Sequence, residues 1–300
     1  MKKFLCVAAF AAALTLPFEA FAKTDLKDVL TDVGVNIIKE AIKNPGTTSK
    51  KTPDEKPTKE TTPNKRVAMV RKLSDAQYNE FVEICKSGSV ESFEAKLENE
   101  NISPNARYSG GMSDEYLLNI AALNSPNADI VNFLLDKGID VNQADKDYNW
   151  TALLSAVCRS DGNLEIVETL IDAGADVNAS GGDDGSSVLM FAAKSGTPEV
   201  VKFLIDSGAK VNPQVGTYNF TALIAAAVST ENPDVIVTLL NAGADAKLKD
   251  KLGKRAIDYA RQNQNLKGTK ALKMLEDASA EKKAPAKKTG GKKSTKKKSK

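Results

Sequence analysis

One short apolar pattern returns five times in this chain. It reads Tyr116-Leu-Leu-Asn-Ile-Ala-Ala, Thr151-Ala-Leu-Leu-Ser-Ala-Val, Ser187-Val-Leu-Met-Phe-Ala-Ala, Thr221-Ala-Leu-Ile-Ala-Ala-Ala and Arg255-Ala-Ile-Asp-Tyr-Ala-Arg, with starts 35, 36, 34 and 34 residues apart. Each of the first four is followed by a second apolar stretch that ends in glycine: Ile130 to Gly138, Ile166 to Gly174, Val200 to Gly208 and Val235 to Gly243. A period in the thirties with two helix-length segments per unit restricts the fold more than any composition does. A single unit of this size cannot bury its apolar face alone, so the units must stack as a solenoid.

The residues around the pattern supply the local chemistry for such a unit. Thr151, Ser187 and Thr221 stand where a hydroxyl can accept a backbone N–H at the start of the first helix. Gly138, Gly174, Gly208 and Gly243 stand where a left-handed residue closes the second. Two residues before four of the starts come Asn149, Gly185, Asn219 and Gly253, types that tolerate positive φ in a tight turn. The pairs Ala121/Ala122 and Ala192/Ala193 are small, as close helix approach requires.

These residues resemble the ankyrin repeat family, whose unit runs G-x-T-P-L-H-x-A-A, then G-x-x-E-I-V-x-x-L-L, then G-A-D-V-N. Gly174-Ala-Asp-Val-Asn178 matches the last element in full, and Gly138-Ile-Asp-Val-Asn142, Gly208-Ala-Lys-Val-Asn212 and Gly243-Ala-Asp245 come close. A degenerate first unit fits Phe81 to Gly88 with Phe93 and Leu97, and Gly268 to Leu275 reads as a capping helix. The likeness spans residues 75 to 280. It implies an all-α ankyrin-repeat solenoid of about six helix-turn-helix units with hairpin tips, in a domain over residues 67–281. It also implies that the tips and the adjoining first helices form a concave binding face.

The departures from the family pattern are specific. Its histidine position holds Asn119, Leu154, Met190, Ile224 and Asp258, so the usual Thr–His hydrogen bond is missing. The turn between helices is lengthened after Ala122 and after Val157. Cys85 and Cys158 fall two units apart. With helices packing about 8–10 Å apart, that is ~20 Å, beyond the ~7 Å Cα limit of a disulfide, so both are expected to be buried and unbridged.

The flanks read differently. Lys2 and Lys3, the apolar run Phe4 to Phe18 and Ala20-Phe21-Ala22 form a signal peptide over residues 1–22, with cleavage before Lys23. The run is short of the ~20 residues that span a bilayer. Residues 23–43 carry Leu26, Leu30, Val33, Ile37 and Ala41 on one helical stripe, suited to docking on the repeats or to self-association, with a partner- or membrane-contacting helix as the alternative. Residues 44–66, with Pro45, Pro53, Pro57 and Pro63 and no apolar cluster, read as a disordered linker. Residues 282–300 hold ten lysines and no acid, a disordered tail, and leave the chain before them with a net charge of −7 against +3 overall.

The sequence has no histidine, which removes histidine triads, histidine bases and histidine metal sites together. Gly181-Gly-Asp-Asp-Gly185 offers two adjacent acids, too few for a calcium cage. Gly290-Gly-Lys-Lys-Ser294 lacks the glycine spacing and context of a phosphate loop. The expectation is therefore a non-enzymatic, exported, monomeric module, periplasmic or secreted, with no cofactor and a protein partner. The candidate partner contacts are Tyr148, Trp150, Tyr218 and Phe220, aromatics on two hairpin tips, because such rings are enriched in binding hot spots. The candidate polyanion contacts are Lys287, Lys288, Lys292, Lys293, Lys296, Lys297, Lys298 and Lys300. Through them the tail would hold a scaffold on an anionic envelope polymer or membrane surface. Nucleic acid is a weaker candidate, since a tail without arginine or aromatic residues binds it without reading sequence.

Overall fold

The structure, a computed structural model, describes residues 69–110, 114–159, 162–195 and 197–280. The expected signal peptide, amphipathic helix, linker and lysine tail lie outside these residues. The described chain contains six consecutive helix pairs: α1 (Asp75–Ser87) with α2 (Val90–Asn99), α3 (Leu117–Asn124) with α4 (Asp129–Asp136), and α5 (Ala152–Val157) with α6 (Leu164–Asp172). They continue as α7 (Val188–Ser195) with α8 (Pro198–Asp206), α9 (Ala222–Ser229) with α10 (Asp234–Asn241), and α11 (Ala256–Ala260) with α12 (Lys270–Ser279).

Each first helix packs on the first helix of the next unit, and each second helix on the next second helix. The first helices are alanine-rich and nearly enclosed: every residue of α5 is buried, as are Ala222 to Ala227 of α9. Small side chains let these backbones approach closely, so the first-helix layer is the tighter of the two. The core runs the length of the array as one continuous cluster, from Leu73 to Leu275.

The expected caps form. Thr151 Oγ1 accepts from Leu154 N at 3.3 Å, Ser187 Oγ from Met190 N at 3.3 Å and Thr221 Oγ1 from Ile224 N at 3.2 Å. Gly138, Gly174, Gly208 and Gly243 have φ of 79°, 90°, 96° and 85°, the left-handed backbone that ends the second helices. Unit six lacks a hydroxyl at its start and instead uses Asp258, whose carboxylate accepts from Arg255 N at 2.8 Å.

Successive units are tied by an asparagine ladder. Asn142 Nδ2 donates to Gly174 O at 2.9 Å while its Oδ1 accepts from Asp176 N at 2.8 Å. Asn178 repeats this on Gly208 O and Lys210 N, and Asn212 on Gly243 O and Asp245 N. Lys247 stands at the next rung, and the ladder stops there.

The all-α expectation is corrected at the start of the array. β1 (Val70–Leu73) pairs parallel with β2 (Ile102–Tyr108), which pairs antiparallel with β3 (Glu115–Tyr116). A two-stranded hairpin, β4 (Ser180–Gly181) with β5 (Ser186–Ser187), lies farther on. The three-stranded sheet packs on α1, α2 and α3, burying Leu73, Ile102 and Ala106. Tyr78 of α1 stacks on Tyr108 of β2 with ring centroids 4.1 Å apart. Asn101, Ser103, Pro104 and Asn105 give this segment the composition of a loop, and only packing against the first unit makes it a strand.

The degenerate first unit folds as expected, with Phe81, Cys85, Phe93 and Leu97 all buried. Cys85 and Cys158 are not joined by a disulfide. Cys85 is buried as expected, whereas Cys158 is half-buried because it sits at the C-terminal end of the six-residue helix α5.

Candidate interaction surface

Four hairpin fingers project between the units, around residues 145–150, 180–187, 215–220 and 250–255. Carboxylates turned onto their own backbone hold three of them. Asp145, 3% exposed, accepts from Asp147 N at 3.0 Å, Tyr148 N at 2.7 Å and Trp150 N at 2.8 Å. Asp184 accepts from Ser186 N at 3.0 Å, and Asp250 accepts from Leu252 N at 2.8 Å and Lys254 N at 2.9 Å. The positions expected to need positive φ have it, at 52° for Asn149, 68° for Gly185, 59° for Asn219 and 74° for Gly253.

The fingers bond to one another in a row. Gly182 N donates to Tyr148 O at 2.8 Å, Thr217 N to Asp184 O at 2.9 Å and Lys251 N to Tyr218 O at 3.1 Å. Asn149 Nδ2 adds a bond to Ser180 O at 2.7 Å, and Gln214 Nε2 one to Lys249 O at 2.6 Å. The approach is close enough at Gly216 that a Cβ there would lie 2.6 Å from Asp184 O. The result is a continuous surface with little freedom to rearrange.

The structure corrects half of the aromatic expectation. Trp150 is 3% exposed and Phe220 is 1% exposed, so neither ring can be a surface anchor. Trp150 packs edge-on against Phe191 of the next unit, and Phe220 edge-on against Tyr259 of the next unit, at centroid distances of 5.2 and 5.8 Å. Each ring turns inward because the following unit offers it an aromatic partner. Tyr148 and Tyr218 are half-buried and keep part of their surface exposed. The tail lysines Lys287 to Lys300 lie outside the described residues.

Electrostatics change along the row. The first and second of the four fingers carry exposed acids, Asp147 and Asp183, whereas the last carries exposed Lys249, Lys251 and Lys254. Tyr259, under that last finger, has its hydroxyl held above the usual phenol range by burial and then by donation to Asp250. In the first unit, burial pushes the Cys85 thiol up to about 12, with a hydrogen bond to Ser125 opposing. A shallow cavity of about 370 Å³ lies beside α11 and α12, but its arginines are engaged: Arg255 donates to Ser279 O and Arg261 to Glu276. Among the described residues no group of three or more His, Cys, Asp or Glu is placed to hold a metal ion, and no helix is long and apolar enough to cross a membrane.

Stacked helix pairs joined by a hydrogen-bonded row of hairpins define a helical repeat array. The family model for ankyrin repeats matches residues 81–181 and 179–250, in three copies. That is more than half of the chain, and the chain belongs to the ankyrin repeat family. No curated protein matches it. Solved structures do, 593 chains in all. One is a chain of the complex between a predatory endopeptidase from Bdellovibrio bacteriovorus and an immunity protein, at 30% identity. The match covers 66% of this chain and 96% of that one, with a TM-score of 0.54. An array of this family is a protein-interaction module, and it is similar here to a protein solved in a complex.

Proposed function

We propose that this is an exported, non-catalytic protein that binds a protein partner through the concave side of the array, where the first helices and the finger row lie. The observation that carries this reading is the hydrogen-bonded row of fingers with Tyr148 and Tyr218 part-exposed along it. A surface already fixed before binding loses little conformational entropy on association. The two tyrosines supply rigid, amphipathic contact area. The acids on the earlier tips favour a partner with a basic patch.

The likeness to a chain of an endopeptidase–immunity protein complex supports a peptidase as the first class of partner to test. Affinity capture from an envelope extract with the wild-type chain, and with Tyr148→Ala/Tyr218→Ala, tests the surface directly. A specific partner lost on double substitution, with the chain still folded and its melting temperature lowered only by the packing of Tyr218 on Phe220, is the expected result. Undiminished capture by the double variant excludes this face.

A second reading, a scaffold held on an anionic envelope surface, is supported by the ten lysines of residues 282–300. Binding to anionic resin that ends when the chain is stopped at Glu281 is its test.

A further inference from the structure

The charge of the array is distributed unevenly from end to end. Residues 69–184 hold 21 acids against 8 Lys and Arg, whereas residues 247–273 hold 9 Lys and Arg against 2 acids. Both acids in that last stretch are engaged inside the fold, Asp250 on its own finger and on Tyr259, Asp258 at the start of α11. The last finger also carries Leu252, which at 63% exposure is the more exposed of the two large hydrophobic residues that stand out from the described surface, the other being Met69. Exposed Lys249, Lys251 and Lys254 flank it on both sides. Lys249 and Lys251 have no ion-pair partner among the described residues, and Lys254 lies over the Tyr259 ring, 5.1 Å from its centroid.

We propose that the finger of the last repeat, Leu252 at its apex between Lys249, Lys251 and Lys254, docks the end of the array on an anionic lipid surface. The proposal adds to the protein-binding reading and does not depend on it.

Shape and chemistry favour lipid over an acidic protein segment. A peptide is held in a groove, with charges facing one another across it. This finger is a projecting turn, and its ammonium groups are point charges that fix no bidentate geometry. A headgroup layer accepts that arrangement, with phosphates around the lysines and an apolar side chain at the acyl boundary. The finger is held to shape by Asp250 and by the bond from Lys251 N to Tyr218 O, so Leu252 cannot fold back without breaking both. The rest of the array is acidic and is repelled by the same surface. Contact is therefore confined to the last finger and the cationic end of the array. The chain beyond Ala280 continues into the lysine-rich segment, so the cationic tail leaves from the same cationic end.

The test is sedimentation of the full chain with vesicles of phosphatidylglycerol and phosphatidylcholine, compared with phosphatidylcholine alone. Lys249→Gln/Lys251→Gln/Lys254→Gln should weaken partition onto the anionic vesicles at least about tenfold, since each lysine near such a surface contributes on the order of a fivefold factor. Leu252→Ser should weaken it by about fivefold or more, the loss of one buried leucine. Leu252→Ser should keep the wild-type melting temperature, because the side chain is exposed, and the triple variant should lose only the small contribution of the Lys254–Tyr259 contact. The chain stopped at Glu281 should keep a weaker binding that the triple substitution abolishes. Unchanged partition of the triple variant overturns the proposal. So does a Leu252→Ser variant equal to wild type on vesicles while the triple variant loses binding to polyglutamate, an outcome that assigns the finger to an acidic protein segment. Partner capture by the same variants, unaffected by any of these results, separates this proposal from the protein-binding one.

Discussion

The indole of Trp150 meets the ring of Phe191 edge-on, with centroids 5.2 Å apart and planes at 76°, while its Nε1 donates to Ser155 Oγ at 2.9 Å. A hairpin residue of one unit is thereby locked into the first helix of its own unit and the first helix of the next. Asn119 of the preceding unit completes the bracket, donating from Nδ2 to Trp150 O at 3.1 Å. Three units converge on one residue. The departure of Asn119 from the family's histidine thus has a use: it bonds forward to the neighbouring hairpin.

Trp150→Ala is accordingly expected to cost stability, about 3–5 kcal/mol, as truncation of a buried large aromatic does. Chemical denaturation of the variant measures it. Tyr148→Ala, two residues away but half-buried, should change stability far less. Equal losses for the two would mean that the Trp150 ring is not part of the core.

Removing one rung of the asparagine ladder should weaken the joint between two units. Asn178→Ala leaves Gly208 O and Lys210 N to water or to nothing, a loss of about 1–3 kcal/mol. The same change at Lys247, past the last rung, is expected to be neutral. Hydrogen exchange should show the loss at the joint between units three and four, with the first unit unaffected.

Cys85 makes stability fall at alkaline pH. An unfolded thiol ionises near its ordinary 9.0, whereas burial holds the folded group's proton to about 12. The unfolded chain therefore releases its proton first, so this contribution is complete below about pH 9 and is lost as pH rises toward 12. Tyr78 and Tyr259, both raised mainly by burial, act in the same direction from 10.0 upward. Melting curves between pH 8 and pH 10 should fall less steeply for Cys85→Ala than for wild type, although the variant starts lower. A thiol reagent at neutral pH should modify Cys158 well before Cys85, and modify both at once in denaturant.

Export is tested at the other end of the chain. N-terminal sequencing of protein recovered from the envelope or medium should begin at Lys23. Recovery with Met1 intact would remove the compartment from the functional reading while leaving the fold untouched.

Much of the array could be read directly from the sequence because the features that set it are local. Thr151 and Thr221 accept their own helix's N–H groups three residues on, and Gly174 takes φ of 90° one residue after Ala173, the cap of α6. A period of 34 to 36 residues repeats those local choices, and repetition makes the stacking legible as well. What the sequence left open depended on contacts between units. Trp150 and Phe220 occupy hairpin positions that face either outward or into the next unit, and only Phe191 and Tyr259, about forty residues onward, turn them inward. The strand Ile102–Tyr108 has no period of its own, with Pro104 and two asparagines in seven residues and the flank before it. It exists because α1, α2 and α3 present an apolar side that Ile102 and Ala106 can cover. The cationic last finger was visible as lysines in the sequence, but its projection and the exposure of Leu252 were settled by Asp250 folding the turn around its own carboxylate. Local propensity set the units and their joints, and long-range packing decided which side chains the finished array keeps for itself and which it presents.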